Sequence, residues 1–123
     1  MSQKISRLVA EGVIVEEGSN YIKYEGGKMI CFEKITLTFN DGANLRTTWT
    51  YPEAFLAGNP PFVLATPDTL SSTNTFVTRL GMTAANGATP TSCTIVQYRI
   101  NAQDNFVSGD TITCNVLAIG RWE

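Results

Sequence analysis

From residue 13 onward, apolar residues recur mostly at every second position, the period of a β-strand with one face buried. The first twelve residues differ. Ile5, Leu8 and Val9 recur at helical spacing, and Gly12 closes that pattern. A helix this short is marginal alone. Residues 1–12 are therefore expected to form a stem or linker segment, and residues 13–123 a β-sandwich domain. "VIVEE" at 13–17 reads as a strand and "GSN" as a turn. Tyr21 to Tyr24 reads as the next strand. Glu25, Gly26 and Gly27 make the turn after it, because paired glycines accept positive φ at little cost. The returning strand, Lys28 to Phe39, sets Met29, Cys31, Ile35, Leu37 and Phe39 on one face. Glu33 interrupts that face, which suggests a bulge or a sheet corner. "NDG" at 40–42 is a hairpin turn signal. The strand after it places Leu45, Thr47, Trp49 and Tyr51 together.

The second half continues in the same way. Pro60 and Pro61 delay any strand until "FVLAT", since proline cannot donate to a sheet ladder. "PDTLSSTNT" is a polar loop. "FVTRLGM" at 76–82 predicts a strand with Phe76, Thr78, Leu80 and Met82 on one face, and residues 83–92 read as irregular. "CTIVQYRI" is a strand whose expected apolar face carries Val96, Tyr98 and Ile100. Residues 101–110 form a polar connection. The last strand places Ile112, Cys114, Val116 and Ala118 on one side, while Leu117 and Ile119 make its far end apolar on the other as well. Such a strand is expected to meet another subunit. About eight strands separated by turn signals predict an all-β, antiparallel β-sandwich or barrel.

Composition narrows the chemistry. A length of 123 residues suits one domain, and a formal charge of −2 gives no drive toward nucleic acid. No stretch approaches the ~20 apolar residues needed to span a bilayer, and "MSQKISRLVAEG" lacks the apolar core of a signal peptide. Folding in a cytoplasm without membrane insertion is the expectation. The chain has no histidine and three widely spaced cysteines, Cys31, Cys93 and Cys114. Imidazole-based catalysis and a clustered metal site are not expected. No cofactor is implied, and no enzymatic activity is expected. The cysteines read as small buried residues, with a Cys93–Cys114 bridge as the alternative. Glu16 and Glu17, adjacent in a strand, face opposite sides and cannot pair as acid and base on one substrate. Asp41, Asp68, Asp104 and Asp110 each sit beside a turn, where a short acceptor caps backbone donors.

Recognition remains. Sugar sites on β-sandwiches combine an aromatic ring with a few polar side chains that meet hydroxyls. "YRINAQDN" supplies both at a strand end and its loop, so Tyr98, Arg99, Asn101, Asp104 and Asn105 are the candidate ligand-binding residues. A solvated hairpin is the plain alternative. Tyr98 and Arg99 alternate, so they need not share one pocket. Trp49 reads as a packing residue. Trp122 would fray at the chain end unless docked, so it is expected to cap a core or an intersubunit seam.

Three blocks resemble the C-terminal tip domain of tailed-phage tail fibres. In "IVEEGSNYIKYEGGKMICF" the matching positions are Tyr21, Lys23, Tyr24, Gly27, Met29 and Cys31. In "TYPEAFLAGNPPFVLAT" they are Pro52, Ala54, Phe55, Pro61 and Val63. In "VLAIGRWE" they are Ala118, Ile119, Gly120 and Trp122. Together the blocks span residues 14–122. Glu33 departs from the pattern, standing where a glycine often follows the aromatic. The resemblance implies a homotrimeric β-sandwich related to the H-type lectins, sited at the tip of a virion fibre. Its implied partners are a host-surface glycan or protein and other virion fibre proteins. No lectin ligand residue is carried over. A trimerisation or baseplate-attachment domain that binds no sugar is the alternative function.

Overall fold

The computed structural model describes residues 12–68, 80–101 and 105–123. The stem candidates Ile5, Leu8 and Val9, the expected strand residues Phe76 and Thr78, and Asp104 lie outside the described residues. Among the described residues there are eight antiparallel strands: β1 (Ile14–Glu17), β2 (Tyr21–Tyr24), β3 (Lys28–Asp41), β4 (Asn44–Thr50), β5 (Phe62–Asp68), β6 (Leu80–Asn86), β7 (Ser92–Arg99) and β8 (Thr111–Arg121).

The longest strand, β3, organises the rest. One of its edges pairs with β8 without a break, from Lys28↔Arg121 to Thr38↔Thr111. Its other edge changes partner: β2 covers Met29 to Cys31, and β4 covers Thr38 to Asp41. One layer therefore runs β1-β2-β3-β8-β5, and the end of β3 leads through β4 into β7 and β6. Glu33 lies in the gap between the two partners. The register against β8 passes through Glu33↔Val116 unshifted. The break in the apolar pattern thus marks a sheet corner and not a bulge.

The inner faces of the two layers make one core. Met29, Cys31 and Leu37 of β3 meet Ile112, Cys114, Val116 and Ala118 of β8, with Leu45 and Trp49 of β4 and Cys93 and Ile95 of β7 closing over them. Trp49, Tyr51 and Phe55 stack edge to face in sequence, at centroid distances of 5.0 and 5.2 Å. The faces read from alternation in β4 and β8 are those the structure buries; on β3, Met29, Cys31 and Leu37 are buried and Ile35 packs partly on the core, but Phe39, expected on the same face, is exposed near the strand end.

Two expectations in the second half are corrected. On β7 the core face is Cys93, Ile95 and Gln97, not Val96, Tyr98 and Ile100. The polar Gln97 made its own face look solvated, yet it is fully buried; Val96 is buried on the opposite face, outside the main core cluster, and Ile100 is exposed. The stretch after Met82 is irregular only over residues 87–91. Thr83 to Asn86 pair with Gln97 to Thr94, although these small and polar residues have little preference for strands. A register shift between Leu80 and Thr83 also separates Leu80, which packs on the core, from the exposed Met82. Phe62 to Thr66 form a strand as expected, extended to Asp68.

No disulfide forms: Cys31, Cys93 and Cys114 are all free and buried. Burial pushes the Cys31 and Cys114 thiols up to about 11, and raises Cys93 too. A thiolate is the reactive form. The folded protein should therefore not react with an aromatic disulfide reagent at pH 8, whereas denaturant should release three thiols per chain. A native chain that titrates any thiol within minutes would contradict this packing.

Candidate functional site

The sandwich has two poles with different chemistry. At one, the chain leaves residue 12 and also finishes. The Glu25 amide donates to the Val13 carbonyl at 2.7 Å, and the Trp122 amide donates to the Gly27 carbonyl at 2.8 Å. The Trp122 indole donates to the Tyr24 carbonyl at 3.0 Å and packs against the core, so it caps the core as a docked end requires. The Arg121 guanidinium donates to the Gly26 carbonyl at 3.1 Å. Gly27 has φ of 101°, and a Cβ there would lie 2.5 Å from that guanidinium. Gly120 lets Phe55 and Pro61 close on the strand, since a Cβ would come within 2.9 Å of the Phe55 ring.

Lys23 completes this pole. Its ammonium pairs with Glu53 at 2.8 Å and Glu16 at 3.3 Å, and stands 5.4 Å from the Trp122 ring centroid and 5.8 Å from that of Tyr21. The bond to Glu53 raises the Lys23 ammonium above its ordinary value, against a desolvation cost that lowers it. The Tyr21 hydroxyl, then Lys23, lower the Glu16 carboxyl. Glu17 pairs with Ile22 on the other face, as alternation requires. The arrangement is a clasp: the glutamates hold Lys23, and every partner is already engaged.

The clasp has a pH signature. Glu16, with a lowered folded value, contributes above 4.5 and loses that contribution as pH falls through the lowered value. Lys23, with a raised value, contributes below 10.5 and loses it as pH rises through the raised value. Thermal midpoints should therefore decline on both sides of the window from 4.5 to 10.5. The shift due to the clasp should be small, because Glu16 is solvated. Lys23→Met should flatten the alkaline decline relative to the parent; an unchanged alkaline limb would refute the assignment.

The candidate ligand residues occupy the opposite pole. Tyr98 pairs with Asn44 across the β4–β7 ladder, so they share the outer face of that sheet, with Arg46 two residues along on the same face. The Asn44 side-chain oxygen is buried and makes no hydrogen bond among the described residues. Arg99 points to the other face. Its amide donates to the Ala43 carbonyl at 3.0 Å, and its guanidinium donates to the side-chain oxygen of Asn105. Asn105 lies over Gly42, where a Cβ would come within 3.2 Å of it, and the Phe106 amide donates to the Gly42 carbonyl at 3.0 Å. The Asp41 carboxylate accepts from the amides of Ala43 at 2.8 Å and Asn44 at 3.1 Å, and the Asp110 carboxylate from that of Val107 at 2.9 Å. Both are turn acceptors, as read.

The structure thus brings Arg99 and Asn105 together, leaves Tyr98 on a separate face, and exposes Asn101 on the loop. Sequence reasoning missed Asn44 and Arg46. Only the β4–β7 register places them beside Tyr98. Among the described residues, no group of three His, Cys, Asp or Glu side chains could hold a metal ion, and no helix is long and apolar enough to cross a membrane.

No protein family and no curated protein matches the chain. Solved structures do. An N-truncated R1-type pyocin tail fibre is similar with a TM-score of 0.65 at 18% identity, over 98% of this chain and 96% of that one. A Pseudomonas aeruginosa R1 pyocin fibre, comprising its C-terminal residues, gives 0.64 at 18% identity, over 98% of this chain and 31% of that one. The chain has the β-sandwich fold seen in these tail fibres. At this identity the likeness concerns fold.

Proposed function

We propose that this chain is the receptor-binding tip domain of a tail fibre, carried on a phage or prophage virion, and that it binds a host-surface carbohydrate without catalysing a reaction. The observation that carries the reading is the polarity of the fold. Residue 12 and the chain end share one pole, held by the Trp122–Lys23 clasp, and the candidate loop stands at the other. A stem attached through residues 1–11 would present Tyr98, Asn101 and Asn105 away from itself. The pyocin-fibre fold and the absence of histidine support the same reading.

A homotrimer is part of the proposal. The outer face of the first layer carries two apolar rows set by register: Ile30, Ile119 and Phe62, then Phe32, Leu117 and Leu64. Phe62 is 84% exposed and Leu64 62%. A groove of about 220 Å³ lined by Leu64, Thr66, Asn115, Val116 and Leu117 lies alongside. A contiguous apolar face of this kind marks an interaction surface. Cyclic association of like chains would bury it. Light scattering should return about three times the 13.4 kDa chain mass, and Phe62→Asp with Leu64→Asp should return the monomer. A monomeric parent would sink this part.

Weak single sites follow from the chemistry. Hydrogen bonds to neutral hydroxyls are worth only ~0.5–1.5 kcal/mol each, and three copies would add avidity. Asn105→Ala and Tyr98→Ala should leave assembly intact and lower adsorption to susceptible cells by about tenfold or more. The apolar face equally favours the alternative, a trimerisation domain that binds no sugar. Full adsorption with both substitutions in place would decide for it.

A further inference from the structure

The fully buried Gln97 has partners arranged around one defect in the sheet. Between the pairs Leu80↔Arg99 and Thr83↔Gln97, β6 carries two residues, Gly81 and Met82, against the single Tyr98 of β7. Such a bulge removes backbone groups from the ladder, and buried groups need other partners. The Gln97 carboxamide supplies them. Its Nε2 donates to the carbonyls of Gly81 at 3.1 Å, Met82 at 3.4 Å and Tyr98 at 3.0 Å, and its Oε1 accepts from the Thr83 hydroxyl. One side chain therefore ties both strands together where the ladder fails.

Gly81 makes the fit close. A Cβ there would lie 2.7 Å from the Arg99 carbonyl oxygen and 3.3 Å from the Ile100 Cα. The backbone of β6 thus presses on the end of β7, just where the chain turns toward Asn101. On the far side of β7, the Arg99–Asn105 bond and the Arg99 amide tie the same segment to Gly42 and Ala43. Tyr98 and Arg99 are gripped from both flanks, and Gln97 holds the β6 flank.

We propose that Gln97 is a positioning residue for the recognition edge: it fixes the placement of Tyr98 and Arg99 by locking the β6 bulge onto the end of β7. The inference rests on the binding function proposed for that pole. A core asparagine or glutamine chosen only to fill volume would tolerate an apolar residue of equal size. Gln97 would not, because the two N–H groups shared among three carbonyls and the oxygen that accepts from the Thr83 hydroxyl are lost together.

Hydrogen exchange by mass spectrometry on the full chain tests this without any ligand. Gln97→Met keeps the volume and removes every bond. Exchange at residues 80–83 and 98–101 should rise about tenfold or more, while β3 and β8 amides keep their parent rates. Ile112→Ala, a cavity in β8, should instead raise exchange along the β3–β8 ladder. Gln97→Glu offers a rescue. At pH 8 its carboxylate would face carbonyl oxygens and exchange should rise as in Gln97→Met. At pH 5, where burial keeps the carboxyl protonated and able to donate, rates should return toward those of the parent at the same pH. Unchanged local exchange in Gln97→Met, a rise spread evenly over all strands, or no rescue at pH 5 would overturn the positioning role. Adsorption separates this from the reading beneath it. If Tyr98→Ala and Asn105→Ala adsorb fully, the binding function fails whatever Gln97 does. If those two lose adsorption while Gln97→Met keeps it despite loosened amides, the binding function stands and the positioning role falls.

Discussion

The unbroken ladder between β3 and β8 is the constraint on which the rest of the structure depends. Eleven consecutive pairs fix it. Because side chains alternate, this single register decides which residues of both strands face the core and which face outward. Inward it delivers Met29, Cys31, Leu37, Ile112, Cys114, Val116 and Ala118. Outward it delivers Ile30, Phe32, Leu117 and Ile119, which β5 extends with Phe62 and Leu64. A slip of one residue would exchange the two sets. The same ladder leaves the other edge of β3 to be shared by β2 and β4, and the layers separate at Glu33, where neither of those two strands pairs with that edge.

The second consequence is polarity. β3 and β8 run in opposite directions, so the start of one and the end of the other meet at one pole. There the three sequence blocks that resemble a fibre tip converge. Lys23, Tyr24 and Gly27 from the first meet Trp122 and Arg121 from the last, and Phe55 and Pro61 from the middle close over Gly120. Most of what looked like a family signature is therefore packing around a chain end. The close approaches at Gly27 and Gly120 explain why those positions lack side chains. The far pole is built on turns capped by Asp41 and Asp110 and on the Arg99–Asn105 bond, and it holds the exposed polar groups suited to contact a ligand.

Both faces of the first layer are apolar, for different reasons. The inner face is satisfied within the chain. The outer face is not, and Phe62 and Leu64 project from β5 into solvent. An apolar face so exposed marks a surface suited to association.

What the sequence determined by itself was the set of strands with regular alternation. The faces of β3, β4 and β8, the tight turn at Gly26 and Gly27, the burial of the cysteines and the docking of Trp122 all follow from period, turn chemistry and the cost of exposing apolar groups. The tertiary structure alone decided the rest. Gln97 faces the core because the bulge opposite it supplies carbonyls that its carboxamide satisfies. Thr83 to Asn86 read as loop because their strand is held by pairing with β7 and not by propensity. Asn44 and Arg46 join Tyr98 only through a ladder between segments some fifty residues apart. Alternation is a local property that each strand carries in its own residues. Register, bulges and the neighbours of a side chain belong to pairs of strands, and they exist only once the chain has folded.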